Sequence, residues 1–185
     1  EGFITKGVEP SKTARDKAIN NFKLDVSEKT DLSQFDQKSI TSISMWHVLE
    51  HIPNINKVLN NCSRILKKNG IIIIAVPNHN SWDRSFYKEY WAAWDVPIHL
   101  WHFSKKTIKL LLKNHGFRLV KTKPMIFDSF YVSLLSEEFK SGKKNFIKAF
   151  FVGLISNIWG VLSKNNHSSI IYVFEKENNL FYSSS

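Results

Sequence analysis

Residues 54–78 read NINKVLNNCSRILKKNGIIIIAVPN. Asn54 can accept a hydrogen bond from the free N–H groups that open a helix. Behind it Ile55, Val58, Leu59, Cys62, Ile65 and Leu66 recur at the three-and-four spacing of one helical face. Lys67, Lys68 and Gly70 close that helix, because cations and glycine suit its carbonyl end. IIIIAV (71–76) then forms an unbroken apolar run stopped by Pro77-Asn78. Such a run predicts a strand covered on both faces, as in a parallel sheet.

Outward from this core, SITSISMW (39–46) reads as another strand, so that strand, helix and strand with short links predict a right-handed crossover. Toward the start, ITKGV (4–8) is short and β-prone. Glu9-Pro10 stops it, and Ser11 caps a helix carrying Ala14, Ala18 and Ile19 on one side. A weak strand near Phe22 to Val26 and a turn-like run through Asp36 follow. Downstream, Ser104 caps a helix running through His115, Gly116 stops it, and FRLVKT (117–122) makes the next strand. A long helical region runs from Phe127 to about Leu162, and SSIIYVFEK (168–176) supplies the last strand. This alternation predicts a doubly wound, mostly parallel α/β sheet. The reading is one domain over 1–179, with 82–103 and 127–164 as lid or substrate insertions and 180–185 as a frayed tail.

With 43% hydrophobic residues in 185, the chain can bury one ordinary core. Cys62 is its only cysteine, which excludes an internal disulfide framework or cysteine zinc site and fits a reducing compartment, the cytoplasm. It opens at Glu1 without a leader-like segment, and the expectation is that an upstream piece precedes it. The net charge of +10 is uneven: no acidic residue lies between Asp95 and Asp128, where lysines and Arg118 accumulate, and Lys140, Lys143, Lys144 and Lys148 follow. A solvated helix face explains this best, peripheral contact with a membrane surface next, and nucleic acid is not favoured, since no nucleic-acid-binding motif accompanies the charge.

In doubly wound sheets ligands gather at the carboxyl ends of the strands. Glu9, Trp46-His47 and Pro77-Asn78 each follow a predicted strand and so should share one crevice. WHVLEHI (46–52) carries His47, Glu50 and His51, and histidines four apart share a helical face. The zinc-protease signature needs glutamate directly after the first histidine, where Val48 stands here, so acid–base, structural and metal roles stay open. The segment 81–103 holds Trp82, Phe86, Tyr87, Tyr90, Trp91, Trp94 and Trp101, either a packed lid or a wall for a flat or lipid-like acceptor. FFVGLISNIWGVL (150–162) is apolar all round, which favours a buried or lid helix over interfacial membrane contact; Ser156, Asn157 and its short span argue against crossing a bilayer.

Taken in order, GVEPS (7–11), MWHVLEHI (45–52), RILKKNGIIIIAVPN (64–78), DVPIHLWHFS (95–104) and NHGFRLV (114–120) resemble the class I S-adenosylmethionine-dependent methyltransferases, in particular a bacterial branch with W-H-V-L-E-H, V-P-N and P-x-H-L-x-H-F-S blocks. The resemblance implies a Rossmann-like methyltransferase fold whose first strand and Gly-rich turn would precede Glu1. It implies S-adenosylmethionine as cofactor and methyl transfer to an O, N or C acceptor on a small or lipid-linked molecule. It places the ribose at Glu9, adenine beside Pro10, with Asp31 and Leu32 in the adenine-contacting loop, and the methionine part beside Met45, Trp46 and His47. Substrate falls to Asn78, Trp82, Tyr87, Trp91 and Trp94. His47 is the first candidate base, followed by His99 and His102, because histidine titrates near neutrality. Two residues depart from the pattern: Thr41 stands for the aspartate opening the fourth strand and Ile98 for an arginine before His99.

Some relatives bind a divalent ion through a glutamate-x-x-glutamate-histidine run at the place of WHVLEHI. The corresponding set here is His47, Glu50 and His51, with His99 or His102 as a fourth ligand, and this nitrogen-rich set suits a transition ion better than magnesium. No metal is assigned from sequence. The competing expectation to an enzyme is a non-catalytic, membrane-peripheral or partner-binding form of the same fold.

Overall fold

The computed structural model describes residues 2–28 and 32–177, and the chain divides into two compact units, Glu1–Asp36 and Gln37–Ser185. In the first, β1 (Gly7–Val8) pairs in parallel with β2 (Val26–Ser27), joined by α1 (Lys12–Phe22). Ser11 caps α1 as read from sequence, its side chain accepting from the Ala14 N–H at 3.5 Å. The helix runs on until Lys23 turns left-handed, with φ 55°. Phe22 therefore ends a helix rather than opening a strand, and the paired residues shrink to Val26–Ser27. Leu32 begins a short turn of 3-10 helix, Leu32–Gln34, while Asp31 lies outside the described residues.

The second unit holds β3 (Ile40–Trp46), α2 (Ile55–Ile65), β4 (Leu66–Pro77), α3 (Trp82–Tyr87), α4 (Lys105–Asn114), β5 (Phe117–Pro124), α5 (Asp128–Ser141), α6 (Phe146–Leu162) and β6 (Ser169–Lys176). Its sheet has the order β3-β4-β6-β5. β3 and β4 run parallel, and β6 lies antiparallel between β4 and β5. Three strands thus share one direction and the last reverses, which makes this a mixed sheet in an α/β Rossmann-like fold: the β3–β4 pairing is parallel, and the β4–β6 and β6–β5 pairings are antiparallel.

The stretch 54–78 forms the helix and strand its pattern predicts, with two changes. Asn54 caps α2 by accepting from the Lys57 N–H at 3.0 Å, and Ile55, Leu59, Cys62 and Ile65 are buried. The helix ends one residue early, and Leu66 already pairs with Ile40; the ladder resumes only at Ile71 with Ser42. Residues 67–70 loop out between, with Asn69 at φ 58°. A Cβ on Gly70 would stand 2.9 Å from the Lys67 carbonyl oxygen, so the close approach selects glycine. Ile72, Ile74, Ala75 and Val76 are buried, but Ile71 is exposed and Ile73 half-buried, so β4 is covered on both faces only toward its end.

Ser104 forms a reciprocal capping box with Thr107 at the start of α4. The long helical region is two helices, because Gly142 caps α5 with φ 71° and Asn145 restarts α6 by accepting from the Lys148 N–H. Of the buried and lid alternatives for this segment, the first is excluded. α6 is not a buried helix: it turns Ala149, Val152, Gly153, Ser156 and Gly160 inward and leaves its large apolar side chains exposed. The reason is close packing, since a Cβ on Gly153 would meet the Phe130 side chain at 2.7 Å. Leu59→Ala should cost about 3 kcal/mol of unfolding free energy, the usual penalty for emptying a core leucine site. Leu110→Ala, at a residue 57% exposed, should change it by less than about 0.5 kcal/mol; urea denaturation measures both.

Candidate active site

In the first unit Glu9 leaves the carboxyl end of β1 half-buried. Its Oε1 accepts from the Ser11 N–H at 2.8 Å, and its carbonyl accepts from Arg15 Nη1 at 2.8 Å. The carboxylate is therefore held at a strand end. Pro10 is exposed beside it and Leu32 is half-buried.

In the second unit the centre is His47, where β3 ends. Its φ of 51° is uncommon for a residue with a side chain. The Ala75 carbonyl oxygen accepts from its backbone N–H at 2.9 Å and holds that turn in place. Glu50 lies on the following 3-10 turn (Leu49–His51) and is fully buried. Its Oε1 is 3.2 Å from His47 Nδ1; a carboxylate only accepts, so Nδ1 carries a proton, while Nε2 is buried on the far side of the ring. Asp128, the first residue of α5, places Oδ1 4.0 Å from Nε2. Among the described residues nothing hydrogen-bonds to His47 Nε2, Glu50 Oε2 or Asp128 Oδ2.

These contacts set the protonation. The hydrogen bond to Glu50, aided by the charge of Asp128, raises the His47 pKa above its ordinary 6.5 against the opposing effect of burial. Burial is also what raises the Asp128 pKa. The imidazole is thus oriented by a buried carboxylate through one nitrogen, and its other nitrogen, buried and without a hydrogen bond among the described residues, lies 4.0 Å from Asp128.

His51 and His99 take a different part. His51 Nδ1 lies 3.2 Å from the Ile98 carbonyl oxygen, and His99 Nδ1 lies 2.8 Å from that of Ala93, so both rings donate there. Glu50, His51 and His99 bring donor atoms within 4.8 Å of one another, a set able to hold a transition ion, with carbonyls fixing both tautomers. The set differs from the sequence grouping, since His47 is engaged with Glu50 and His102 with the Trp94 carbonyl oxygen, 2.9 Å from its Nε2.

Met45 is buried on β3 and Trp46 half-exposed beside it. Asn78 is buried at the end of β4, donating to the His167 carbonyl oxygen at 3.1 Å while its own side-chain oxygen accepts from the Asn80 N–H. Tyr87 and Trp91 are packed in a core with Ala92, Ala93, Val132 and Val152, whereas Trp82 and Trp94 lie partly open at its margin. Asp128 was not singled out by sequence; its signal was only that it ends the acid-free stretch and opens a helical region.

A methyltransferase-domain family model matches residues 1–122, and the chain belongs to that family. No curated relative matches by sequence. Among solved structures, a SAM-dependent methyltransferase from Thermotoga maritima is 17% identical with a TM-score of 0.61, over 94% of this chain and 73% of that one. A SAM-dependent methyltransferase from Archaeoglobus fulgidus is 18% identical with a TM-score of 0.58, over 92% and 75%. Phosphoethanolamine N-methyltransferase 2 from Haemonchus contortus, solved with S-adenosyl-L-methionine, is 18% identical with a TM-score of 0.55; the match covers 94% of this chain but 43% of that one. These likenesses share the fold. Replacing Glu50 by glutamine should lower the His47 pKa, because the largest raising contact loses its charge; a histidine-resolved NMR titration reads the shift.

Proposed function

We propose that the chain serves S-adenosylmethionine-dependent methyl transfer to an O, N or C acceptor on a small or lipid-linked molecule. The observation that carries this reading is the His47–Glu50 pair at the carboxyl end of β3 in a member of a methyltransferase family. When bound, the cofactor supplies an electrophilic sulfonium methyl. The chain's tasks are then to align the acceptor, exclude water and take a proton where the acceptor carries one.

In the first unit Glu9 is proposed to hold the ribose, its carboxylate fixed by Ser11, with Pro10, Asp31 and Leu32 toward the adenine. In the second unit Met45, Trp46 and His47 are proposed to meet the methionine part. His47 Nε2 is the proton-accepting atom; Glu50 positions the ring, and Asp128 stabilises the imidazolium that forms. His99 and His102, each bonded to a backbone carbonyl, shape the segment that carries them. Trp82 and Trp94 offer open aromatic surface for the acceptor, while Asn78, Tyr87 and Trp91 support that wall from within.

Glu9→Ala should weaken binding of S-adenosylhomocysteine by roughly tenfold or more, the worth of hydrogen bonds to a charged group; calorimetry with unchanged affinity would remove Glu9 from the site. His47→Ala should lower kcat by about a hundredfold or more, the usual share of a general base, with a smaller change in KM. The base must be neutral, so kcat should rise with pH through the raised His47 pKa, above 6.5. In Glu50→Gln that rising limb should move to lower pH. The same His47–Glu50 contact stabilises the fold below pH 6.5, where His47 is protonated in both states, and that contribution fades as pH rises through the folded-state pKa.

A further inference from the structure

α6 reverses the usual pattern of a surface helix. Its small residues face the protein, and Phe146, Ile147, Phe151, Ile155, Ile158 and Leu162 are among ten large apolar side chains it leaves 37–75% exposed. So much contiguous apolar surface marks an interaction face. At 17 residues the helix is about 25 Å long, and no described helix is long and apolar enough to cross a membrane.

Charge says what covers the face. No acidic residue occurs between Glu138 and Glu175, while Lys140, Lys143, Lys144 and Lys148 lie before or on the first turn of α6 and Lys164 just beyond its end. Glu138 and Glu137 each engage one of these lysines, Lys144 at 3.5 Å and Lys148 at 3.1 Å, which leaves the cluster net positive. An apolar helix face with cations at both ends fits an anionic bilayer, where the rings and aliphatic groups enter the acyl boundary and the lysines meet headgroups. A second copy of the chain would bring the same cations together, which opposes self-association.

A groove of about 570 Å³ opens at one edge of this face between α5 and α6, lined by Phe127, Phe130, Tyr131, Leu134, Phe146 and Phe150. Phe127 adjoins Asp128, whose carboxylate faces His47. We propose that the exposed face of α6 seats the protein on anionic membrane surfaces. This goes beyond the methyl-transfer reading and stands on the α6 surface alone.

Flotation of the 185-residue chain with vesicles, without cofactor, tests it. The protein should float with phosphatidylcholine–phosphatidylglycerol vesicles at low salt, and weakly with phosphatidylcholine alone. Each lysine near an anionic surface is worth about fivefold, so Lys140→Gln, Lys143→Gln and Lys144→Gln together should weaken binding roughly a hundredfold. Phe151→Ser with Ile158→Asn should abolish it while leaving the thermal melt unchanged, since both side chains are more than half exposed. Failure to float, equal flotation with both vesicle types, or undiminished flotation of these variants would overturn the proposal. So would a dimer in sedimentation that the Phe151/Ile158 variant dissolves. Loss of methyl transfer with flotation intact would count against the catalytic reading only.

Discussion

The carboxylate of Asp83 is completely buried and accepts three short hydrogen bonds, from Trp91 Nε1, Ser156 Oγ and Ser168 Oγ, each at 2.7 Å. A charge buried without partners would be prohibitively costly, so the three donors and the acid require each other. They come from four places: α3, the aromatic segment, the inner face of α6 and the approach to β6. Ser156 reaches Asp83 only because α6 turns its small residues inward, and that same rotation leaves the phenylalanines and isoleucines outside. One buried acid therefore accounts for both a packed interior and an exposed apolar exterior.

The same packing fixes α5. Ser129 donates to the Gly153 carbonyl oxygen at 3.2 Å, and Asn157 Nδ2 donates to Ser129 Oγ at 2.8 Å, so the first turn of α5 is tied to α6. Asp128 is the residue before Ser129. Its approach to His47 is thus a consequence of how two distant helices meet. The electrostatics of the site then depend on sequence separations of 3 residues for Glu50 and 81 for Asp128, both acting to raise the histidine's pKa.

This difference in separation explains what the sequence could disclose. The caps at Ser11, Asn54 and Ser104 and the face of α2 are local, and periodicity or residue type exposes them; the His47–Glu50 contact is local too, but residue type alone left the roles within WHVLEHI open. The insertion of β6 between β4 and β5, the partners of Asp83 and the approach of Asp128 are not local, and no short window contains them. α6 is a third case. A helix apolar all round carries no directional signal, and only the volumes of Gly153 and Gly160, small enough to admit Phe130 and His167, choose its inner face.

The two histidines of WHVLEHI show how a shared motif separates into roles. Four residues apart would stack on an α-helix, but the chain leaves β3 through a left-handed residue at His47 and enters a 3-10 turn, so the rings diverge. His47 turns to Glu50 with one nitrogen and toward Asp128 with the other, while His51 packs edge-on against His99 at 4.7 Å between ring centroids. Glu50 stands between them, and its carbonyl oxygen also accepts from the N–H groups of Leu100 and Trp101 at 2.8 and 3.2 Å. A change at Glu50 is therefore felt on two sides: side-chain neutralisation acts on the protonation of His47, whereas the backbone contact that locates residues 100–101 persists in Glu50→Gln. That separation makes the conservative variant a probe of electrostatics rather than of folding.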